Sequence, residues 1–374
     1  TYAGGTPIVL SGTNFGTTAA NVAVYIDNVQ CTVTAVTNTQ ISCTTGPAPP
    51  IGQRTTSQEG NVRVEISDRG YAVMNNLQYL YIERWSEDNT WGGIAPPREG
   101  DSVSIPAGQA VLLDISPPKL KAIIVEGALI FDDANINLDC EYIMVNGGRL
   151  QIGTPDEPIQ NKITVTLHGT KESATLPIYG NKVIAIMEGL LDIHGKPRSH
   201  TWTVLDSTAA IGDTSIVVQG VVDWVAGEQI VIASTDHDHY QSESRTIVSV
   251  AKNSPSSGLT TITFANALVH RHYAGIQGIE NQVFEMRAEV GLLTRNVVIQ
   301  GDNQSQKLQY GAHIMAHGHS GDDSSIVRIS YTEVRQAGQA FNLGRYPIHL
   351  HLIGNVRESY VLGNAVHHTY NRAI

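Results

Sequence analysis

The sequence of 374 residues is poor in charge, in cysteine and in long apolar runs. Charged residues make up 16% of the chain, against a usual share of about 25%. The net charge of −11 argues against a nucleic-acid-binding protein, which would carry a basic face or stripe, and against bulk attraction to acidic polysaccharides. No run approaches the length of about 18 apolar residues that spans a bilayer. Because the chain opens at Thr1 and stops at Ile374 within a strand-like pattern, we expect a piece of a longer protein, with any membrane contact in segments outside it.

Three cysteines are too few for a disulfide scaffold, and no C-x-x-C pair is present. Cys31 and Cys43 lie on two segments with the pattern of neighbouring strands, so a bridge between them is geometrically easy. Such a bridge would indicate an oxidising compartment, and the alternative is two buried free thiols. Cys140 is expected to be a small core residue. The sequon Asn303-Gln-Ser305 predicts glycosylation at Asn303.

Short, alternating apolar runs are abundant. Val62, Val64 and Ile66 alternate with polar residues, as in a half-buried strand, and similar runs recur with turn residues between them. No long window has a helical period, so the predicted fold class is all-β. Beyond about residue 120 the runs recur roughly every 20–25 residues, which favours stacked coils of a β-solenoid. An antiparallel sandwich could produce the same runs.

Residues 4–82 resemble an IPT/TIG domain, an immunoglobulin-like β-sandwich. The motifs that carry the resemblance are Gly4-Gly-Thr-Pro-Ile8, Ser11-Gly-Thr-Asn-Phe-Gly16, Val24-Tyr-Ile26, Cys31, Thr39-Gln-Ile-Ser-Cys43 and Leu77-Gln-Tyr79. The resemblance implies a spacer or binding module over residues 1–82.

Residues 85–205 resemble the eight-glycine domain of fibrocystins and of the cell-migration-inducing and transmembrane hyaluronidases. Its motifs are Thr90-Trp-Gly-Gly93, Gly100-Asp-Ser-Val-Ser-Ile-Pro-Ala-Gly108, Val111-Leu-Leu-Asp114, Ile123-Ile-Val-Glu-Gly127 and Gly147-Gly-Arg-Leu-Gln-Ile-Gly153. The segments Thr294–Asp302, Gly344–His351 and His367–Ala373 continue the resemblance into parallel β-helix coils. An IPT/TIG domain directly before an eight-glycine domain is typical of fibrocystin-L-like extracellular proteins. The implied order is an Ig-like domain (1–82), an eight-glycine domain (83–205), a β-rich insert (206–289) and parallel β-helix coils (290–374).

Half of the 14 histidines follow residue 310. They are His313, His317, His319, His349, His351, His367 and His368. His349 and His351 project to one side of a strand, and a coil of the expected length would bring His313 and His367 to neighbouring coils. Three interpretations remain open: a hydrogen-bonded ladder, a site for calcium or another divalent ion at His349 and His351, and an acid/base site for polysaccharide cleavage.

Other polar residues extend these alternatives. The candidates for sugar binding beside the histidines are His313, Arg345, Tyr346, His367, Asn371 and Arg372. In the hyaluronidases that the chain resembles, acidic residues near Asp101 and Asp114 are linked to activity, which adds these two to His349 and His351 as catalytic candidates. The alternative is that both aspartates cap turns. Acidic residues and histidines alternate in Asp236-His-Asp-His239, which is interpreted either as a divalent-ion site or as a solvated loop.

These features predict a non-enzymatic extracellular or cell-surface scaffold or receptor segment, glycan-associated or filament-forming. The expected partners are extracellular glycans or proteins, or further copies of the chain, and no cofactor is certain. The competing hypothesis is a hyaluronidase-like depolymerase that acts at the histidine-rich face.

Overall fold

The computed structural model describes residues 3–49, 53, 61–73, 77, 79–252, 258–318 and 325–374. Strands and turns dominate these residues, which confirms the all-β prediction. Helical structure in the described part is limited to one α-helical turn, α1 (Ser305–Leu308), and the short 3-10 segments Ala19–Asn21, Asp88–Trp91 and His239–Gln241. None of these helices is long and apolar enough to cross a membrane.

An antiparallel domain occupies the N-terminal part. Its strands are β1 (Pro7–Ser11), β2 (Val22–Ile26), β3 (Val29–Val36), β4 (Gln40–Thr44), β5 (Val62–Ile66) and β6 (Gly70–Tyr71), in the spatial order β1-β4-β3-β2-β5-β6. The predicted alternation is seen directly, since Val24 and Ile26 are fully buried while Tyr25 between them is only partly so. The Cys31–Cys43 disulfide predicted from the strand pattern lies in this core, with the two Cα atoms 5.8 Å apart.

The chain then winds into parallel coils. The first four coils contain β7 (Ile82–Arg84), β8 (Ser102–Ile105), β9 (Ala110–Leu113), β10 (Leu120–Val125), β11 (Ala128–Phe131), β12 (Ile136–Asn146), β13 (Arg149–Ile152), β14 (Ile163–Leu167), β15 (Val183–Met187) and β16 (Leu190–His194). Each strand pairs in parallel with its counterpart in the next coil.

A second antiparallel unit is inserted after the fourth coil. Its strands are β17 (Trp202–Val204), β18 (Ser215–Gln219), β19 (Gln229–Ile232), β20 (Glu243–Lys252), β21 (Leu259–Phe264), β22 (Ile276–Ile279), β23 (Gln282–Glu285) and β24 (Glu289–Leu292). Six of them form a sheet in the order β17-β24-β19-β20-β21-β18. A bridge between Leu205 and Val218 joins its two edges, so the sheet closes into a small barrel around its own apolar core. We call this unit the inserted barrel.

The coils resume after the inserted barrel. The remaining strands are β25 (Val297–Gly301), β26 (His313–His317), β27 (Ile326–Ser330), β28 (Thr332–Ala337), β29 (Ile348–His351), β30 (Tyr360–Leu362) and β31 (Ala365–Thr369). Stacked strands build three faces of the solenoid. The first face is β8-β10-β12-β15-β26-β29, the second is β7-β9-β11-β13-β16-β27-β30, and the third is β12-β14-β25-β28-β31, with the long β12 bending across two faces.

One apolar core runs through the solenoid. An inward ladder on the first face consists of Val103, Ile123, Ile143, Ile184, Ile314 and Ile348, all at most 4% exposed. The same core includes residues from Trp85 to Ile353. Coils before and after the inserted barrel therefore share a single hydrophobic interior, while the domain boundaries drawn from the sequence stay a prediction.

Stacked glycines turn the corner between the first and second faces. The amide of Arg149 donates to the carbonyl of Gly127, and that of Leu190 donates to the carbonyl of Gly148. A Cβ on Gly148 would stand only 2.5 Å from the Gly127 carbonyl oxygen. The coils approach too closely here for any side chain, which gives a physical reason for glycines in this segment.

Candidate functional site

Four histidines line the outer surface of the first face. Ile314 and Ile348 face the core, so His313 and His317 on β26 and His349 and His351 on β29 point away from it. The register pairs His317 with His351, and their rings stack with centroids 5.3 Å apart. The rings of His349 and His351 lie 5.1 Å apart. The structure thus confirms that His349 and His351 share one side of a strand.

His313 is sealed from solvent. Its Nε2–H donates to the Tyr179 carbonyl at 2.9 Å, which leaves Nδ1 to accept from the Gln339 side-chain amide at 3.4 Å. Burial lowers the pKa of His313 to about 3, and the positive charge of Arg345 acts in the same direction. His313 is therefore a neutral hydrogen-bonding group at physiological pH.

Residues 338–345 form a loop that covers this part of the face. Arg345 donates to the Ile178 carbonyl at 2.7 Å and to the Met315 sulfur at 3.4 Å. Asn371 donates to the carbonyls of Gln339 and Asn342, both at 2.9 Å. Two of the residues predicted to bind sugar, Arg345 and Asn371, therefore fasten this covering loop.

The other candidates beside the loop are more open. His349 Nδ1 donates to the Gly344 carbonyl at 2.7 Å, and the Tyr346 ring lies 5.0 Å from the His349 ring. Arg372 is exposed, and its backbone amide donates to the Asn371 side chain. Tyr346, His349 and His351 are each partly exposed, so this edge of the first face is where a ligand could reach the histidines.

His367 lies on a different face from the other candidate histidines. On the third face His367 of β31 pairs with Arg335 of the adjacent strand β28. Its Nε2 lies 3.4 Å from Oε1 of the buried Glu333, and an Arg335 guanidinium nitrogen lies 3.1 Å from the same oxygen. Although burial opposes ionisation, these groups and the Arg295 amide hold the pKa of Glu333 below its ordinary value. The structure does not bring His367 to His313.

Asp101 and Asp114 lie in the first coil, whereas His349 and His351 lie in the sixth. At ~4.8 Å per coil the two aspartates lie about 24 Å from the two histidines along the solenoid, too far for all four side chains to act on one glycosidic bond. Asp101 accepts the Arg98 amide at 2.7 Å in a turn. Asp114 accepts the amide and hydroxyl of Ser86, and despite the opposing effect of burial these bonds lower its pKa. The predicted catalytic set of two aspartates and two histidines is therefore not one site.

A divalent ion at His349 and His351 stays a prediction. Calcium takes oxygen ligands, so a pair of imidazoles does not fit calcium. In the described part of the chain, no three or more His, Cys, Asp or Glu side chains are grouped to hold a metal. His319 lies outside the described residues.

The second face carries a polar relay that the sequence analysis missed. His194 Nε2 lies 2.7 Å from Asp192 Oδ1, and its Nδ1 lies 2.9 Å from Ser330 Oγ. This order of groups is that of a nucleophile relay, beside a cleft of about 240 Å³. The two backbone amides beside Ser330 are not free to stabilise an oxyanion, because the Tyr331 amide donates to the Leu362 carbonyl and the Gly195 amide donates to the Ser330 carbonyl. The alternation of Asp192 and His194 was visible in the sequence, but Ser330 joins them only through the coil register.

Lys182 is a second group that the sequence did not reveal. Its ammonium is fully buried and lies 2.9 Å from both Asp302 Oδ1 and Ser305 Oγ. Burial lowers the pKa of Lys182, and Asp302 counteracts part of that effect. The neighbouring Asn303 is exposed at the start of α1, so its glycosylation stays a prediction.

Three segments of the chain match known domain families. Residues 1–81 match the IPT/TIG domain family, residues 90–206 the G8 domain family, and residues 309–374 the CEMIP beta-helix family. Fibrocystin-L of Mus musculus is 40% identical to the whole of the chain, and that of Homo sapiens is 39% identical. The chain is fibrocystin-L-like. It spans 9% of the length of those two relatives.

A more distant relative matches a smaller part. Protein rliB of Dictyostelium discoideum is 31% identical over 78% of this chain, which covers 25% of that protein. In the fibrocystin-L-like chain, the IPT/TIG match confirms the Ig-like assignment of the N-terminal domain. The G8 and CEMIP beta-helix segments are coils of the same solenoid and share its core.

Proposed function

We propose that the chain is a non-enzymatic segment of an extracellular or cell-surface scaffold or receptor. The observation that carries this proposal is that three of the candidate sugar-binding residues and one of the candidate catalytic aspartates are held in structural contacts. His313 is neutral and buried, Arg345 and Asn371 fasten a loop, and Asp114 is bound by Ser86 and Arg84 at the other end of the solenoid.

An oxidising location is supported by the disulfide. Cys31 and Cys43 are both at most 1% exposed and bonded in the IPT/TIG core. Such bonds persist in secreted and cell-surface proteins and are rare in the cytosol. The similarity to fibrocystin-L supports the same location.

The stacked coils are suited to act as a rigid rod that holds binding surfaces in place. Each coil contacts mainly its neighbours, and the continuous apolar ladder joins them into one stiff unit. The proposed partners are extracellular glycans, other proteins or further copies of the chain. Because the net charge is −11, neutral glycans are favoured over polyanionic ones.

Incubation with a panel of polysaccharides tests the scaffold proposal. The purified chain should generate no reducing ends above a heat-denatured control, on neutral or on acidic substrates. A steady rise in reducing ends that depends on the folded chain would overturn it.

A hyaluronidase-like depolymerase is the second candidate. It is favoured by the CEMIP beta-helix match, which contains His349 and His351, and by the partial exposure of both side chains. If cleavage is found, replacing both histidines by alanine should abolish it, with His237→Ala as the control because the His237 side chain is 96% exposed on the inserted barrel. Retained cleavage in the double variant would exclude this site.

A further inference from the structure

The inserted barrel carries an open groove of about 400 Å³ on its outer surface. The residues on which the argument depends are Trp202, Val231, Asp236, His239, Glu289 and Gly291. Trp202 is 58% exposed, whereas Trp224 of the same barrel is 2% exposed and belongs to its core. Trp202 therefore presents an accessible indole to the groove instead of packing into the barrel core.

The strand register explains why the indole has free space beside it. Gly291 of β24 lies between Trp202 of β17 and Val231 of β19 on the outer surface. A Cβ on Gly291 would be in ordinary contact with Val231, at 3.4 Å, so glycine is not required here by crowding. Its missing side chain instead leaves a flat apolar floor next to the indole.

Polar groups surround this floor. Glu289 and Asp236 are both exposed at the groove, and a hydrogen bond from the exposed His237 lowers the pKa of Asp236. The loop that carries Asp236 and His239 has a defined shape, because Asp238 accepts the Tyr240 amide at 2.9 Å and Ser234 donates to the Asp238 carbonyl at 2.7 Å. The alternating Asp236–His239 motif is thus one wall of the groove.

We propose that this groove binds a neutral oligosaccharide, with a sugar ring stacked on Trp202 and sugar hydroxyls donating to Asp236 and Glu289. An aromatic face matches the C–H surface of a sugar ring, and carboxylates are strong acceptors for hydroxyl donors. Two carboxylates at the groove repel uronate and sulfate groups, so hyaluronan-type chains are poor ligands. The site is independent of the histidine-rich face and of whether that face is catalytic.

Tryptophan fluorescence can report binding directly. Trp85 and Trp224 are buried and Trp91 is partly buried, so acrylamide quenches mainly Trp202. Titration with neutral chito-, cello- and galacto-oligosaccharides should protect the indole from quenching for at least one of them. Hyaluronan oligosaccharides should give weaker protection.

Calorimetric titration of variants completes the test. Trp202→Ala should weaken binding at least about tenfold, as expected of a central aromatic anchor. Gly291→Val, which fills the floor from the outer side of the sheet, should weaken binding by a similar factor or more. Phe341→Ala is the matched control, since Phe341 is fully exposed on the solenoid. The proposal is overturned if the folded chain binds none of the neutral oligosaccharides, if both groove variants bind like the wild type, or if hyaluronan oligosaccharides bind best.

Discussion

Acid should destabilise the solenoid through His313, and replacing His313 should remove that sensitivity. In the folded chain burial lowers the His313 pKa to about 3, while the unfolded chain has an ordinary value of 6.5. Below pH 6.5 the unfolded state therefore binds a proton that the folded state does not, and stability falls as the pH falls. The cost is 1.36 kcal/mol for each pH unit below 6.5, so moving from pH 7 to pH 5 destabilises the fold by about 2 kcal/mol through this residue.

His313→Gln isolates this contribution. A glutamine amide can still donate to the Tyr179 carbonyl but does not titrate. The variant should lose about 2 kcal/mol less than the wild type between pH 7 and pH 5 in urea unfolding of the solenoid. Equal pH dependence of His313→Gln and wild type would refute the conclusion that His313 is held neutral.

Three further changes test other parts of the structure. Reduction of the Cys31–Cys43 bond, which closes a sequence separation of 12, should lower the unfolding free energy of the N-terminal domain by about 3 kcal/mol in denaturant titration, and an unchanged midpoint would contradict this. Lys182→Ala should cost about 3 kcal/mol because it leaves the Asp302 carboxylate without its buried partner, and a thermal midpoint like the wild type would contradict that role. Gly148→Ala should cost about 2 kcal/mol by overpacking the corner, whereas Gly278→Ala, where nothing lies within 4 Å, should be close to neutral in the same melt.

Local patterns predicted much of this fold. Alternation such as Val62, Val64 and Ile66 identified strands, because strand side chains alternate between two faces. The same rule placed His349 and His351 on one side. The cysteine pairing followed from two adjacent strands, so it too depended only on short-range information.

The composition of the site depended on long-range register, which the sequence does not display. The inserted barrel separates the fourth and fifth coils, so the pairing of His194 with Ser330 spans 136 positions. Coil lengths also vary, and this moved His367 to the third face instead of beside His313. His313 is buried by two segments distant in sequence, one containing Tyr179 and the other containing Gln339. The residues around His313 in the sequence carry no pattern that predicts this burial.

The molar mass of long hyaluronan, followed by light scattering during prolonged incubation with the purified chain, tests the central claim most directly. One internal cut per chain creates a single reducing end but lowers the average mass of a long polymer strongly, so this measurement detects cleavage too slow for a reducing-end assay. We predict a molar mass that stays equal to that of hyaluronan incubated with heat-denatured protein. A progressive fall that requires the folded chain and disappears with His349→Ala/His351→Ala would contradict a non-enzymatic scaffold.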